Sequence, residues 1–241
     1  MDVKEKEAEI IVSNNETALV QPQQYIPDIP EKTDSLLIGK ILKRLIDILG
    51  GIVGTIVLIP LTIGIAIANL ICKDNGPIFY SQYRMGKNGK LFKMYKYRSM
   101  VVGADEKLKK YLEENEEARK EYKKYKKLKH DPRVTKVGEF IRKTSLDEFP
   151  QFINVLKGDM SLVGPRPYLE REKEDMNGYY KYITTCKPGL TGLWQISGRS
   201  DVDFATRIDL DMQYYYNHSL KGDIKILFKT AMKLVKREGA L

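Results

Sequence analysis

Cysteine and histidine are scarce in this chain of 241 residues, which contains only two of each. Cys72 and Cys186 lie far apart and form no paired spacing, so the sequence suggests neither a disulfide framework nor a thiolate zinc site. His130 and His218 also lack neighbouring residues at metal-ligand spacing. These absences favour a reducing compartment, and any bound metal is expected to be a hard cation held by oxygen atoms.

Acidic residues are too few to balance the basic ones: 32 Asp and Glu face 41 Lys and Arg, which gives a formal net charge of +9. A basic protein gathers anionic partners such as nucleic acid, acidic lipid head groups or phosphorylated substrates. Nucleic acid is disfavoured because the aromatic and basic residues form no recognisable groove-reading or single-strand motif. Lipid head groups and phosphorylated substrates remain.

The first segment, residues 1–35, has no sustained apolar period and mixes Glu, Lys, Asn, Gln and Pro. Such a composition is typical of a disordered polar tail. The segment also lacks the basic patch followed by a short apolar core that marks a secretory signal peptide. We therefore predict a disordered tail over residues 1–35.

An uncharged run follows, from Ile48 to Cys72, and at about 25 residues it is long enough to cross a hydrocarbon core as a helix. Basic residues lie on both sides of it, so both flanks favour the cytoplasm. Pro60, near its middle, removes a backbone donor and favours a bend. We predict that residues 36–75 form a re-entrant membrane hairpin helix that bends at Pro60. A kinked spanning helix and a buried helix of a soluble core are the alternatives.

The rest of the chain, residues 76–241, is predicted to be a small, mostly helical α+β domain. Two apolar runs around the turn at residues 86–90 indicate a short β-hairpin. Residues 104–129 have the spacing of an amphipathic helix that is broken once, and a further helix ends at Gly158. A last basic amphipathic helix is predicted over residues 224–235.

Two adjacent carboxylates, Asp147 and Glu148, lie at the predicted start of the helix that ends at Gly158. The helix macrodipole favours an ionised carboxylate there, and an ionised Asp can act as a nucleophile. However, Ser145 followed by Glu148 also fits a capping box, which would be a purely structural role. The sequence pattern leaves both interpretations open.

Basic residues near this acidic pair suggest a phosphate site. Arg142 precedes the pair, and Arg166 follows it between Pro165 and Pro167, which restrict the backbone. Cations and carboxylates at a helix start suit a diphosphate bridged by a divalent cation, and a guanidinium held in place suits phosphate recognition. A surface turn with an exposed Arg is the structural alternative for Arg166.

Lys96 and Arg98 follow the predicted hairpin and are a second pair of candidate phosphate ligands. Basic side chains close to a membrane interface can bind a lipid phosphate. They can equally act as general surface charges that are attracted to anionic lipid.

Several ordered motifs resemble one family, the bacterial sugar transferases that initiate polysaccharide or glycoconjugate assembly, also called monotopic phosphoglycosyl transferases. The resemblance covers about residues 40–240. It is carried by the following segments: Lys43–Asp47, Pro60, Gly76–Gln82, Phe92–Met100, Asp131–Thr135, Thr144–Gln151 and Lys157–Pro167.

The resemblance implies a two-step transfer reaction. Asp147 would attack the diphosphate of a UDP-sugar, UMP would leave, and undecaprenyl phosphate would then take the sugar phosphate from Asp147. Glu148 is expected to help hold Mg²⁺. By the same analogy the substrate-binding residues are expected to be Lys96, Arg98, Arg142, Pro165, Arg166, Pro167, Gln195 and Arg199.

The resemblance also implies a location and partners. A re-entrant helix and interfacial amphipathic helices would attach a cytosolic catalytic domain to the bilayer of the bacterial inner membrane, with both termini in the cytoplasm. The stretch from Gly189 to Arg199 resembles members that transfer hexose 1-phosphate, and a homodimer is expected because relatives associate. The alternative is a non-catalytic adaptor that recruits polysaccharide-assembly partners at the membrane surface.

Overall fold

The computed structural model describes residues 37–125, 128–198 and 202–236, with no side chains described for residues 234–236. The predicted tail over residues 1–35 and the candidate residue Arg199 lie outside this part of the chain. The described helices and strands are α1 (Leu37–Ile71), β1 (Phe79–Met85), β2 (Leu91–Tyr97), α2 (Ala104–Glu114), α3 (Glu116–Tyr125), α4 (Lys136–Lys143), α5 (Gln151–Lys157), β3 (Ser161–Val163), α6 (Tyr180–Ile183), β4 (Gly189–Thr191), α7 (Leu193–Ser197), α8 (Phe204–Asn217) and α9 (Leu220–Lys236).

The strands form two small sheets. β1 and β2 pair antiparallel from Phe79 opposite Tyr97 to Met85 opposite Leu91, which confirms the predicted hairpin. β3 and β4 pair in parallel, a contact that the sequence analysis did not predict. The mostly helical α+β class is confirmed.

The long apolar helix α1 is fixed to the domain near its beginning by three polar side chains. Lys43 donates to the carbonyl oxygen of Val163 at 2.9 Å, and Arg44 donates to two carbonyls at the end of α5 at 2.7 and 2.8 Å. Asp47 is buried and accepts hydrogen bonds from the Ser161 hydroxyl at 2.9 Å and the Leu162 amide at 2.8 Å. A helix rich in apolar residues is thus held in one register by a few charges.

The middle and the end of α1 also pack on the domain. A Cβ atom on Gly54 would lie 2.2 Å from the Phe152 ring, so only glycine permits this approach. Further along, the hydroxyls of Thr62 and Tyr97 are 2.6 Å apart, and Ile65 belongs to a buried cluster with Tyr97. The helix runs through Pro60 as one element from Leu37 to Ile71.

The opposite side of α1 is apolar and exposed. By length and composition this helix could cross a membrane. Most side chains in its apolar stretch are not buried against the rest of the protein. Exposed residues recur along the whole helix, among them Leu49, Val53, Ile56, Ile59, Ile63, Ile67 and Leu70. So large an apolar surface is unusual on a protein that is surrounded only by water.

The main core of the domain lies between the hairpin, α5, β3 and the two last helices. Its buried members are Phe92, Met94, Val155, Met160, Leu162, Val163, Tyr214 and Ile226. α2 and α3 form a separate small cluster around Leu108, Ala118 and Leu128. The break between α2 and α3 at Asn115, where the backbone is extended, confirms the prediction of an interrupted amphipathic helix.

Candidate active site

The acidic pair lies in a short 3-10 turn, Leu146–Glu148, which precedes α5. Ser145 adopts a left-handed backbone conformation with φ of 58°, and its side chain makes no capping hydrogen bond to a described residue. An N-cap residue requires an extended conformation, so the capping-box interpretation of Ser145 and Glu148 is wrong. A left-handed residue other than glycine costs free energy and is common at functional sites.

Lys96 contacts both members of the acidic pair. Its Nζ donates to Glu148 Oε1 at 2.7 Å and lies 3.8 Å from Asp147 Oδ2. The Asp147 side chain is only 13% exposed, whereas that of Glu148 is 39% exposed. The structure therefore brings together three of the predicted site residues, with Asp147 as the most buried of them.

Burial raises the pKa of Asp147 to about 6, and the Glu148 carboxylate adds to this rise, whereas the cations of Lys96 and Arg142 oppose it. From the sequence, the helix macrodipole is expected to favour ionisation at this position. That expectation fails because Asp147 is not in the first turn of α5 and because the loss of hydration on burial is the largest influence on its pKa. At neutral pH the ionised form still predominates.

Arg142 lies in the last turn of α4, and its side chain is half-buried. Among the described residues it makes neither a side-chain hydrogen bond nor an ion pair. Its charge acts on two acids, Asp147 and Asp131; the latter is held by Arg133 at 2.6 and 2.8 Å. A guanidinium beside the acidic pair with its donors uncommitted is well placed to receive a phosphate, as the sequence predicted for Arg142.

Arg98 has a different environment from its neighbour Lys96. Its guanidinium donates to the carbonyl oxygens of Pro77 at 2.6 Å and Met100 at 2.9 Å, and to the carboxylate of Asp74 at 2.8 Å. Arg98 is 7% exposed and fixes the chain that follows α1 to the end of the hairpin. The prediction that Arg98 binds substrate gains no support, because these donors are already used inside the protein.

The segment Pro165–Pro167 is not an exposed surface turn, because Pro165 is buried and Arg166 and Pro167 are half-buried. Pro165 is fully buried, and the Arg166 amide donates to Asp211 Oδ2 at 3.0 Å. The carbonyl oxygen of Pro167 accepts a hydrogen bond from Arg84 at 3.1 Å. The Arg166 guanidinium lies 5.5 Å from the centroid of the Trp194 ring. Gln195 follows Trp194 in α7 and donates to the carbonyl oxygen of Leu190 at 3.4 Å.

Arg84 and Arg207, which the sequence analysis did not single out, accompany Arg166. Burial and the nearby charge of Arg166 lower the pKa of each to about 10. Arg84 is on the hairpin and Arg207 is on α8, so no local motif connects them. The sequence signal that could have pointed to this group is Trp194, the only tryptophan of the chain, which lies in the stretch that resembles the family.

A magnesium site at the acidic pair is compatible with the residues present. Within the described residues there is no cluster of three or more His, Cys, Asp or Glu side chains that could form a complete protein site. Mg²⁺ commonly takes only one or two carboxylates and completes its shell with substrate phosphates and water. Asp147 and Glu148 offer such a donor set.

Comparisons with known proteins identify the family of this chain. The family model for bacterial sugar transferases matches residues 38–237. The chain is 51% identical over 202 residues to an undecaprenyl-phosphate galactose phosphotransferase of Salmonella typhimurium, which covers 84% of this chain and 42% of that protein. It is 44% identical over 203 residues to the exopolysaccharide production protein ExoY of Rhizobium meliloti, which covers 84% of this chain and 89% of the relative.

A third relative is a UDP-glucose:undecaprenyl-phosphate glucose-1-phosphate transferase of Escherichia coli, 38% identical over 205 residues, or 81% of this chain and 40% of that protein. The chain therefore spans about two fifths of the length of the Salmonella and Escherichia proteins and most of the length of ExoY. It belongs to the bacterial sugar transferase family, which confirms the resemblance found in the sequence.

Proposed function

We propose that this protein is a phosphoglycosyl transferase, which moves a hexose 1-phosphate from a UDP-sugar to undecaprenyl phosphate and releases UMP. This would be the first membrane step in the synthesis of a polysaccharide or glycoconjugate. The observation that carries the proposal is the cluster in which the buried Asp147 meets Glu148 and the cations of Lys96 and Arg142. Relatives whose names specify galactose or glucose transfer favour a hexose donor.

In the first step the Asp147 carboxylate attacks the phosphorus that carries the sugar. The bond from this phosphorus to the bridging oxygen breaks, and UMP leaves with the electron pair. A raised pKa suits this role, because the carboxylate is more basic than an exposed one and is still ionised at neutral pH. Lys96 and Arg142 would reduce the repulsion between the carboxylate and the diphosphate.

In the second step a phosphate oxygen of undecaprenyl phosphate attacks the same phosphorus, and the Asp147 carboxylate is released. One acidic pair then serves both half-reactions, because the soluble donor product departs before the lipid acceptor reacts. Mg²⁺, when bound, would offset the negative charge of the diphosphate, and Asp147 and Glu148 are the residues that would hold it. Glu148 would then share its carboxylate between the metal and Lys96.

The contacts of α1 support the proposal that it enters the membrane and returns on one side. Lys43 near its beginning and Thr62 and Ile65 towards its end all pack on the same domain. A spanning helix would place its two ends on opposite sides of a hydrocarbon core of about 30 Å. The exposed apolar side of α1 supplies a surface that lipid would cover. On this proposal the domain and both termini lie on the cytoplasmic side of the inner membrane.

The experiment that tests the function is UMP release by the protein purified in detergent with Mg²⁺, undecaprenyl phosphate and either UDP-galactose or UDP-glucose. We expect lipid-dependent release with one hexose donor and none from Asp147→Asn. The first step alone releases up to one UMP per protein, so only lipid-independent release beyond one equivalent would indicate hydrolysis. Full activity of Asp147→Asn would refute the assignment of the nucleophile, and the absence of any turnover would favour the adaptor.

The membrane topology is tested separately by placing single cysteines in the N-terminal tail and near the C-terminus of a Cys72→Ser, Cys186→Ser background. Both engineered positions should be protected from an impermeant thiol reagent in intact cells. Labelling of only one of the two would contradict the re-entrant arrangement.

A further inference from the structure

Asn154, in the middle of α5, is fully buried and is not one of the site residues described above. Its side-chain oxygen Oδ1 accepts a hydrogen bond from the Tyr95 amide at 3.0 Å. Its side-chain nitrogen Nδ2 donates to the carbonyl oxygen of Lys93 at 2.8 Å and to Asp159 Oδ2 at 3.2 Å. The donor and the acceptor of this side-chain amide are therefore both used, and two of the three bonds go to β2.

The Asn154 side chain pairs with one edge of β2 in the way that a neighbouring strand would. β1 pairs with the other edge, where the Arg98 amide, just beyond β2, donates to the carbonyl oxygen of Ile78 at 2.8 Å. Backbone groups alternate between the two edges of a strand, so the Lys93 carbonyl and the Tyr95 amide point away from β1. Buried backbone groups need hydrogen-bond partners, and the Asn154 side chain supplies one to each of these two groups.

This link joins the two segments that bring the acidic pair and its cation together. Lys96 follows Tyr95 in β2, whereas Asp147 and Glu148 lie in the 3-10 turn that precedes α5. Lys96 Nζ is 2.7 Å from Glu148 Oε1 and 3.8 Å from Asp147 Oδ2. A lysine side chain is a flexible stem of four carbons, so these distances require a β2 backbone that is fixed relative to α5.

Apolar packing also holds β2 against α5, because Val155 is buried in one cluster with Phe92 and Met94. Such packing is non-directional, whereas the two hydrogen bonds from the Asn154 side chain to β2 are directional and fix the position of the strand along α5. The backbone of the same residue has a separate role at the end of α5, where its carbonyl oxygen accepts from the Asp159 amide at 3.0 Å. A residue of another type would keep that backbone bond, so a substitution of Asn154 removes mainly the link to β2.

We propose that Asn154 is a positioning residue of the transferase: its side-chain amide fixes β2 to α5, so that Lys96 remains beside Asp147 during the attack on the donor. The proposal rests on the proposed function, in which the Lys96 cation reduces the repulsion between the Asp147 carboxylate and the diphosphate. Asn154 is fully buried and acts only through Lys96. Its loss should therefore lower the rate through a displacement of the Lys96 side chain.

The first measurement is UMP release in a single turnover of the full-length protein in detergent with Mg²⁺ and the active hexose donor. Asn154→Leu, which has a similar volume and no hydrogen-bonding group, should lower the maximal rate about tenfold or more. The donor concentration that gives half of this rate should change by about threefold at most, because Lys96 acts on the attack. Asn154→Gln keeps the amide and should retain more of the rate. A wild-type rate for Asn154→Leu would overturn the proposal.

A double substitution separates an effect through Lys96 from a general loss of structure. In a Lys96→Gln background, Asn154→Leu should change the rate by less than about twofold, because the cation that it displaces is already absent. Equal fold losses in the two backgrounds would contradict the positioning role. Leu108→Ala, which truncates a buried side chain in the separate cluster of α2 and α3, is the stability control and should lower the Tm without changing the rate. If Asn154→Leu does not fold, Asn154→Ser, whose side chain is too short for the same two bonds, takes its place.

Limited acetylation of lysine, read by mass spectrometry, tests the position of Lys96 without any turnover. The Lys96 side chain is 25% exposed in the wild type. In Asn154→Leu its acetylation relative to the exposed Lys109 should rise at least about twofold, because its ammonium loses a charge-assisted hydrogen bond to Glu148. If acetylation is unchanged while UMP release falls, the positioning role is wrong and the function stands. If acetylation rises but the wild type turns over no donor, the transferase proposal fails and the link from Asn154 to Lys96 stands.

Discussion

Replacing Asp147 by Asn should make the folded protein more stable while it abolishes UMP release. The Asp147 carboxylate is 13% exposed and has its pKa raised to about 6 by burial. At neutral pH the fold therefore contains a charge that would be better solvated in the unfolded chain. Asparagine has nearly the same shape and no charge, and Lys96 keeps its 2.7 Å hydrogen bond to Glu148.

The size of the effect follows from linkage between protonation and folding. The folded pKa of about 6 is above the ordinary value of 3.8 for Asp, so the folded state binds the proton more tightly. The stabilisation from protonation is fully present below pH 4 and is lost as the pH rises through 6. A difference of about two pKa units corresponds to about 3 kcal/mol, and this already includes the attraction to Lys96. Asn should recover roughly 2 kcal/mol of it, because an amide does not reproduce every contact of a protonated carboxyl group.

The assay is thermal unfolding of the detergent-purified protein at pH 7 and pH 5. Asp147→Asn should raise the Tm by about 4–8 °C at pH 7, since about 2–4 °C corresponds to 1 kcal/mol for a chain of this size. Roughly half of the gap should disappear at pH 5, where Asp147 in the wild type is mostly protonated. Glu148→Gln is the control: the more exposed Glu148 should change stability by about 1 kcal/mol at most. A variant of Asp147 that is less stable than the wild type at both pH values would refute the reasoning.

Three further predictions follow from the site and from α1. The rate of the first half-reaction should fall about tenfold per pH unit below pH 6, because protonated Asp147 cannot attack; a profile that is flat from pH 7 to 5 would contradict this. Gly54→Ala should lower the free energy of unfolding by about 1–3 kcal/mol, because its Cβ would lie 2.2 Å from the Phe152 ring. Gly64→Ala, which has open space around its Cβ, should be neutral or stabilising. Equal Tm values for the two variants would refute the packing of α1 on Phe152. Arg98→Ala should cost about 3 kcal/mol by leaving Asp74 and two carbonyls without their donor, as measured by the same thermal unfolding. Arg171→Ala, which removes an exposed Arg, is the control and should leave the Tm nearly unchanged.

Local patterns in the sequence predicted the elements that depend on local physics. The hairpin follows from two alternating runs around a turn, and α5 ends where Gly158 adopts φ of 85°, which glycine accommodates without strain. The parallel pair of β3 and β4 was not predictable, because each strand has three residues and the two are far apart in the chain. Three residues are too few to show a period.

The candidate site was predicted in its composition but not in its backbone. The spacing of Ser145 and Glu148 fits a capping box, yet Ser145 is in the left-handed region and the acidic pair lies in a 3-10 turn that precedes α5. Lys96 and Arg98 are both basic and two residues apart, and no local pattern distinguishes them. The fold distinguishes them because Lys96 is inside β2 opposite Tyr80, whereas Arg98 lies beyond the strand and meets the end of α1.

Strand β2 connects the membrane helix to the acidic pair. Neighbouring residues of a strand point to opposite faces, so Lys96 reaches Asp147 and Glu148 while Tyr97 points to α1. The Tyr97 hydroxyl lies 2.6 Å from that of Thr62 and donates to the carbonyl oxygen of Leu58 at 3.3 Å. These two residues flank Pro60, where the helix is proposed to bend in the membrane. The position of Lys96 beside Asp147 is therefore set by the same strand that contacts α1 on both sides of Pro60, and this places the acidic pair beside the segment that would enter the lipid.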